Sequence, residues 1–453
     1  MSISSTIGIG RSALLAHQGA IRTVSENISN VETEGYARRR VEFEADPSGG
    51  VRAGVAQRIV DRFLESRLIE TSGERSGAQA RADLLVRVEG LLPLGESSLA
   101  GALDRFFDAA GELAAHPEDL AVRRNLLERA EALAAGVRAL AGGIEGLQHE
   151  ADQRISDEVA VLNERLAEIA RLNRDMPAAG ETGGTALADR RDHLLAEIGE
   201  RIAIRSVLHE DGTADIALRD SGVALVTGSD AAHLLTRTSA TPALDGGTLH
   251  EVAVALAGGQ SAALPGSLGG RVGGLLAVRD DDLPAFAADI DALALALRDA
   301  VNAVQTSATA SDLDGAPGLP FFSGSGGGDL SVALTNPRGI AAAFGTTLSD
   351  NRNALALVDL RLAAIPSLGG VSLSESAAAL AGNAGAALRQ ARDTGEVAES
   401  LHTALRSQRD AVSAVSLDEE LTDLVRFQRG FQAAAQLIRA GDSLLEELIG
   451  VVR

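Results

Sequence analysis

Both ends of this chain carry apolar residues at alternating steps of four and three, and that period limits the folds open to it. Near the start, Ile3, Ile7, Gly10, Leu14, His17, Ile21, Val24, Ile28 and Val31 keep a strict 4,3,4,3 spacing, and seven of the nine are apolar. The spacing predicts one helix over residues 3–31 with a narrow coiled-coil seam, about 43 Å long at 1.5 Å per residue. At the other end the same steps give Leu417, Leu421, Leu424, Gln428, Phe431, Ala435, Ile438, Asp442, Leu445, Ile449 and Val452, nine of eleven apolar. Ser416-Leu417-Asp418-Glu419 fits a capping box that would start this helix. A 3.5-residue repeat implies a left-handed supercoil with a partner helix. A seam helix alone leaves its stripe in water and is marginal. The economical inference is that each end partners the other and that the middle of the chain is inserted between them.

That middle is long enough, in a chain of 453 residues, for one or two further domains. Ala and Leu supply most of its apolar content, with few aromatics and no Trp, a composition that favours helix. Residues 78–92 and 98–114 are apolar at helical spacing. Pro117 fits the first turn of a longer helix, which continues through Leu126, Ala130, Leu133, Val137, Leu140, Ile144 and Leu147 and then, after a shift, through Ile155, Val159, Leu162, Leu166 and Ile169. One helix to about residue 174 is expected, with Gly142-Gly143 as a possible kink, and two more near 283–306 and 374–412. The pattern changes at 201–279, where "RIAIRSVL", "ADIALR", "GVALVTG", "HLLTR" and "LHEVAVALAG" are separated by "EDGT", "SG" and "DGG"; such short runs between Gly and Asp turns signal hairpins. "FFSGSGGGDL" at 321–330 reads as a loop returning to the helical part. The expected fold is mainly α with an inserted β-rich domain: a terminal coiled coil from 1–45 plus 416–453, a long-helix bundle from 46–200 plus 280–415, and an outer β domain at 201–279.

Composition removes several kinds of chemistry. With 41 basic and 63 acidic residues the formal charge is 41 − 63 = −22, which repels phosphate and disfavours nucleic acid and anionic membrane as partners. Every basic residue is Arg, so a P-loop lysine or Schiff base is excluded. The absence of Cys excludes disulfides, thiolate metal sites and Cys nucleophiles. No apolar run reaches the roughly 18 residues that span a bilayer, and "MSISSTIGIGRSALL" has neither the basic nor the compact apolar region of a cleavable signal peptide. "GIGRSA" at 8–13 resembles a dinucleotide fingerprint but has no room for the strand that motif needs before it. The eight His do not pair at zinc-ligand spacing. "DDDLP" at 280–284 reads as a solvated run before a helix, and "DLDGAPG" at 312–318 as a turn without the later ligands of a calcium loop. His17, on the seam, reads as a polar residue tolerated at a packed interface. No catalytic residue, cofactor or metal site is expected.

The first helix ends in "SENISNVETEGYARRR", residues 25–40. Asn30 and Gly35 suit left-handed closing positions, and Tyr36 can pack its ring while keeping a wet hydroxyl. A helix end followed by a turn and three solvated arginines accounts for the spacing as it stands. The residues also carry a resemblance. Asn27, Ile28, Asn30, Thr33, Gly35 and Tyr36 match the Asn-Asn-Ile-Ala-Asn-x-x-Thr-x-Gly-Tyr/Phe motif of the flagellar axial proteins, with Glu26 and Ser29 as mild departures. Residues 187–228 and 269–305 resemble the Asp-x-Arg-Asp-x-Leu helix with its β-meander and the Gly-Gly-x-x-Gly-x-Leu-Leu stretch of the hook-associated branch of that family, and residues 416–438 resemble the Leu-Asp-Glu-Glu end of the axial proteins. The resemblance implies a structural component of the bacterial flagellum, exported through the flagellar type III channel and assembled as a ring between hook and filament. Its implied partners are the hook protein, a second junction protein (hook-associated protein 3), copies of itself, and an export chaperone on the C-terminal helix. The expected assembly surface comprises Ile7, Leu14, Ile21, Asn27, Ile28, Asn30, Thr33, Gly35 and Tyr36 with Leu421, Leu424, Phe427, Gln428, Phe431 and Ile438. The alternatives are a hook or rod protein of the same family, a secreted hydrolase domain on a flagellin-like scaffold, and a coiled-coil adhesin.

Overall fold

The computed structural model describes residues 3–33, 36–47, 49–345, 347 and 349–452. Helix α1 (Ile3–Ser29) leads into an antiparallel hairpin of β1 (Arg39–Ala45) and β2 (Val51–Arg58). Three helices follow: α2 (Arg62–Leu91), α3 (Leu99–Ala115) and α4 (Leu120–Asp175), then α5 (Gly180–Arg201). Strands β3 (Ile204–Leu208), β4 (Ala214–Leu218), β5 (Ala224–Thr227) and β6 (Asp230–Ala231) form one meander in chain order; β7 (Leu234–Pro242), β8 (Thr248–Ala255) and β9 (Ser261–Ala263) form a second. Helix α6 (Gly270–Ala277) runs through a π-helical turn, Val278–Asp282, into α7 (Leu283–Gln305). Helices α8 (Arg352–Asp359), α9 (Leu373–Ser413) and α10 (Leu417–Val452) complete the chain.

The terminal helices pair with each other, as the two seams require, and the β-rich region is an insertion in a mainly helical chain. Helix α4 is one uninterrupted helix of 56 residues, roughly 84 Å at 1.5 Å per residue. It does not break at Gly142-Gly143, because Gly143 makes room for the end of α2: a Cβ there would lie 2.8 Å from Leu91 Cδ1. Pro117 is not in its first turn. Asp119 caps α4, accepting from the Ala121 amide, while the Pro117 carbonyl accepts from Arg123 Nε at 2.6 Å. Arg123 is fully buried and also donates to the Ile340 carbonyl at 2.7 Å, so one guanidinium ties the start of α4 to the loop that crosses it. The reciprocal capping box is at Ser372 and Glu375, opening α9; at Ser416 the third residue, Glu419, turns instead toward Arg38.

The strands of the inserted region end at Ala263, short of the expected 279. "GGRVGGLLAV" is helical because its glycines allow close helix contact, not hairpin turns. Gly270 and Gly274 of α6 face Gly73 and Gly77 of α2, and a Cβ at Gly274 would lie 2.1 Å from the Gly77 carbonyl oxygen. "FFSGSGGGDL" is more than a loop: Phe322–Ser323 pair with Ser331–Val332, and Phe321 and Phe322 are core residues packed on Phe106.

Two amide side chains on α4 fasten the β region by imitating a neighbouring strand. Asn163 donates to the Leu234 carbonyl (2.7 Å) and accepts from the Leu234 amide (2.8 Å). Asn173 does the same at Ala214, at 2.8 and 2.9 Å. Between them and the π turn, buried Asp152 receives Arg279 Nη1 at 2.7 Å, the His250 amide at 2.8 Å, and a bond with His250 Nδ1 at 2.6 Å. A buried carboxylate survives only with such complete satisfaction.

The apolar interior has two parts. One large cluster joins α2 through α9 with the strands. A small separate one holds Ala20, Val24 and Phe427, with Ile21, Ile28 and Leu424 against it. The terminal pair therefore owns its own core.

Candidate functional site

Helices α1 and α10 run antiparallel. A Cβ added at Gly441 would meet Ile7, one at Gly10 would meet Ile438 Cγ1 at 2.8 Å, and one at Gly430 would lie 2.5 Å from the His17 ring. Close approach at these points requires glycine. The contact row on α10 is Glu420, Phe427, Ala434 and Gly441, seven residues apart and buried, with Leu424, Phe431 and Ile438 half-buried beside it. The expected seam shared only that second row. Its other row is turned outward: Leu421 is 51% exposed, and Gln428 and Asp442 are exposed as well. Apolarity alone selected the wrong row because the real one contains a carboxylate, an alanine and a glycine. On α1, Val24 is buried, while Ile7, Leu14, Ile21 and Ile28 are half-buried. The hairpin covers a second flank of α1, where Ser12 Oγ accepts from the Val51 amide at 3.3 Å and Phe43 meets the His17 ring edge-on.

The corner that follows is built on Asn27, 1% exposed. Its Nδ2 donates to the Arg39 carbonyl (2.8 Å) and to Glu420 Oε2 (2.9 Å). Its Oδ1 accepts from the Tyr36 hydroxyl (2.9 Å) and the Arg39 amide (3.0 Å). One side chain thus fixes the start of β1, the tyrosine and the far helix, with its hydrogen-bonding capacity filled. Glu420, equally buried, also takes Arg38 Nε at 2.8 Å, and Arg38 reaches Glu419 at 2.6 Å. Arg39 spans Glu26 (3.3 Å) and Asp189 of α5 (2.8 Å), with its guanidinium 5.0 Å from the Tyr36 ring centroid. Arg58 closes the array on Asp189 (2.8 Å) and Asp192 (2.7 Å). Two of the three arginines read as solvated charge are therefore clasps; Arg40 is exposed.

Asn30 does not take a left-handed conformation: among the described residues only glycines have positive φ. It closes α1 by its side chain, whose Nδ2 donates to the Glu26 carbonyl at 2.8 Å, while Thr33, exposed, donates to Asn30 Oδ1 at 3.2 Å. Gly35 lies outside the described residues. Missed in the sequence were the roles of Glu420, Arg38, Asp189 and Asp192; the signal was an acidic pair at i, i+3 on α5 and an acidic residue beside an apolar stripe.

Burial pushes the Tyr36 phenol up to about 12, against the pull of the Arg39 guanidinium and with Glu26, Asp189 and Glu420 assisting. Because the folded state raises this acid, its contribution is full below the free phenol range near 10 and is lost as pH rises toward about 12. The chain has a single Tyr and no Trp, so ultraviolet difference absorbance reads this group alone. The expected midpoint is near 12 in the intact protein and near 10 once the corner is opened by denaturant.

Residues 406–451, which include most of α10 in the terminal pair, match the family described as flagellar basal body rod FlgEFG protein C-terminal, a component of the bacterial flagellum. More than half of the chain, residues 85–322, matches the flagellar hook-associated protein FlgK helical domain; the chain belongs to the FlgK family, structural components of the bacterial flagellum at the hook–filament junction. It is 25% identical to flagellar hook-associated protein 1 of Salmonella typhimurium across 99% of this chain and 100% of that protein, and 25% identical to that of Bacillus subtilis across 97% and 96%. The fold is similar to the flagellar hook junction protein FlgK from Burkholderia pseudomallei, with a TM-score of 0.69 at 16% identity over 77% of this chain and 100% of that one.

Proposed function

We propose that this chain forms a ring at the distal end of the hook and carries the mechanical transition from a flexible hook to a stiff filament. The observation that carries this reading is the uncovered side of α10. After α1 has taken one face, Leu421, Leu444 and Ile449 remain about half exposed, and Leu417, Val425 and Leu437 are exposed as well. A solvated helix does not hold such a row without something to cover it. In the assembled ring, neighbouring subunits cover it, with hook protein below and a second junction protein above. Before assembly the same stripe takes an export chaperone, as an amphipathic helix docks in a groove. The terminal segment (1–45 plus 416–453) then lines the export channel, the helical bundle makes the next shell, and the β region faces outward. The route is export through the flagellar type III apparatus to the extracellular appendage. The assembly surface is the set Ile7, Leu14, Ile21, Asn27, Ile28, Asn30, Thr33, Gly35, Tyr36, Leu421, Leu424, Phe427, Gln428, Phe431 and Ile438, with Leu421 and Gln428 facing neighbours and Asn27 and Phe427 holding the pair that presents them.

The test is complementation of a strain lacking the gene, which should show hooks without filaments and filament subunits lost to the medium. The intact gene should restore filaments; Leu421→Arg should not, because Arg buried unpaired at a subunit contact costs several kcal/mol, while the melting transition of the variant stays unchanged. Filaments of ordinary number and length on L421R cells would remove Leu421 from the interface.

A further inference from the structure

The terminal seam holds one titratable group that assembly does not explain. His17 of α1 lies where three elements meet. Its ring stands edge-on to Phe43 of β1 at 5.2 Å between centroids and tilted against Phe427 of α10 at 6.2 Å, and Phe43 and Phe427 meet each other at 5.7 Å. Gly430 sits flush against the ring, leaving no space for a Cβ. Nδ1 is shielded from solvent and has no hydrogen-bond partner among the described residues.

We propose that His17 is a proton-operated latch on the terminal helix pair: neutral, it completes the aromatic cluster that closes α1, the hairpin and α10 together; protonated, it drives them apart. A neutral imidazole can leave Nδ1 as a bare acceptor among apolar neighbours at modest cost. An imidazolium there carries a second N–H with nothing to receive it and a charge with nothing to balance it. The charged groups that share the groove of about 710 Å³ beside the ring are Arg38, Arg39, Arg40 and Glu42 on the hairpin side, and Glu419, Glu420, Asp423 and Arg426 on α10. Most are engaged in ion pairs: Arg38 with Glu419 and Glu420, Arg426 with Asp423, and Arg39 with Asp189 and Glu26 outside the groove. None is bonded to the imidazole, and burial holds it below its ordinary value. The sign follows. The folded pair prefers the neutral ring, so its contribution is complete above the ordinary imidazole range and declines as pH falls through that range toward the lower folded value. Mild acid loosens the seam.

Hydrogen exchange of the full chain tests this, corrected for intrinsic rates, at about pH 8 and about pH 5, the range in which histidine changes charge. Amides of α1 and α10 should lose protection several-fold at the acid end, while those of α4 change little. In His17→Asn and His17→Leu the terminal protection should be independent of pH. The proposal is overturned by terminal helices unprotected at the higher pH, by wild-type protection that does not fall, or by either variant losing it as steeply as wild type.

Discussion

Replacing Asn27 with leucine is expected to open the terminal helix pair while the body of the protein stays folded. The side chain makes four hydrogen bonds in a site that is 1% exposed. Leucine matches its size but strands the Arg39 amide and carbonyl, the Tyr36 hydroxyl and one oxygen of buried Glu420. Each buried group left unmade costs about 1–3 kcal/mol, and even with relaxation the sum is about 3–5 kcal/mol. Against this, the buried apolar side chains of the pair among the described residues are Ala16, Ala20, Val24, Phe427 and Ala434, three of them alanines, and a phenylalanine contributes about 1.5–3 kcal/mol. The polar loss is of the same order as what so small a core supplies. Hydrogen exchange should show α1 and α10 unprotected, calorimetry should show the main transition unmoved, and cells should lack filaments. Asn27→Asp sharpens the argument. It keeps the acceptor but places a carboxylate oxygen where an N–H met Glu420 Oε2 at 2.9 Å. Like charges at that distance repel until one is protonated, so N27D should be worse at neutral than at acid pH. Retained protection of α1 in N27L, or an N27D defect indifferent to pH, would refute the hub role of this residue.

The helical architecture could be read from spacing because long helices repeat one geometric demand many times. Residues 120–175 satisfy it over 56 positions, enough to override four glycines, the Gly142-Gly143 pair among them. The terminal pairing was legible for the same reason, two 3.5-residue repeats with no other evident partner. Register was not. Glu420, Ala434 and Gly441 pack against α1 through a hydrogen-bonded charge and through smallness, and neither registers as apolar. The hairpin at 39–58 is masked in the sequence although "RRVEFEA" alternates and "DPSGG" is a turn sequence, because Arg38 and Arg39 read as solvent-facing until their acidic partners, 382 and 150 positions away, are known. The asparagines followed one rule that spacing cannot express. Asn27, Asn163 and Asn173 each sit on a helix and hold both backbone groups of a strand residue. A buried Asn on a long helix, with a β segment to place, is the pattern to look for.

Deleting residues 1–29 and 417–453 together should abolish filament assembly completely and shift the melting temperature of the remaining body by no more than a few degrees, since about 1 kcal/mol moves the transition of a domain of 150–250 residues by roughly 2–4 °C and a larger body by less. The argument rests on the separation of the two apolar clusters. Helices α1 and α10 contribute nothing to the cluster that holds α2 through α9, and the links across the elbow are polar: Arg39 and Arg58 to Asp189 and Asp192, and the Arg38 amide to the Ser413 carbonyl at 3.0 Å. Partly exposed ion pairs of this kind contribute about 0–1 kcal/mol each, and the Asp189 and Asp192 contacts survive the deletion. If the terminal helices were ordinary core, removing them would expose the interior and the cooperative transition would collapse. If they are assembly elements, the body melts as before and only the junction is missing. Calorimetry of the truncated chain and electron microscopy of cells carrying it separate the two cases: a lost transition makes the helices core, and intact filaments deprive them of any part in the junction.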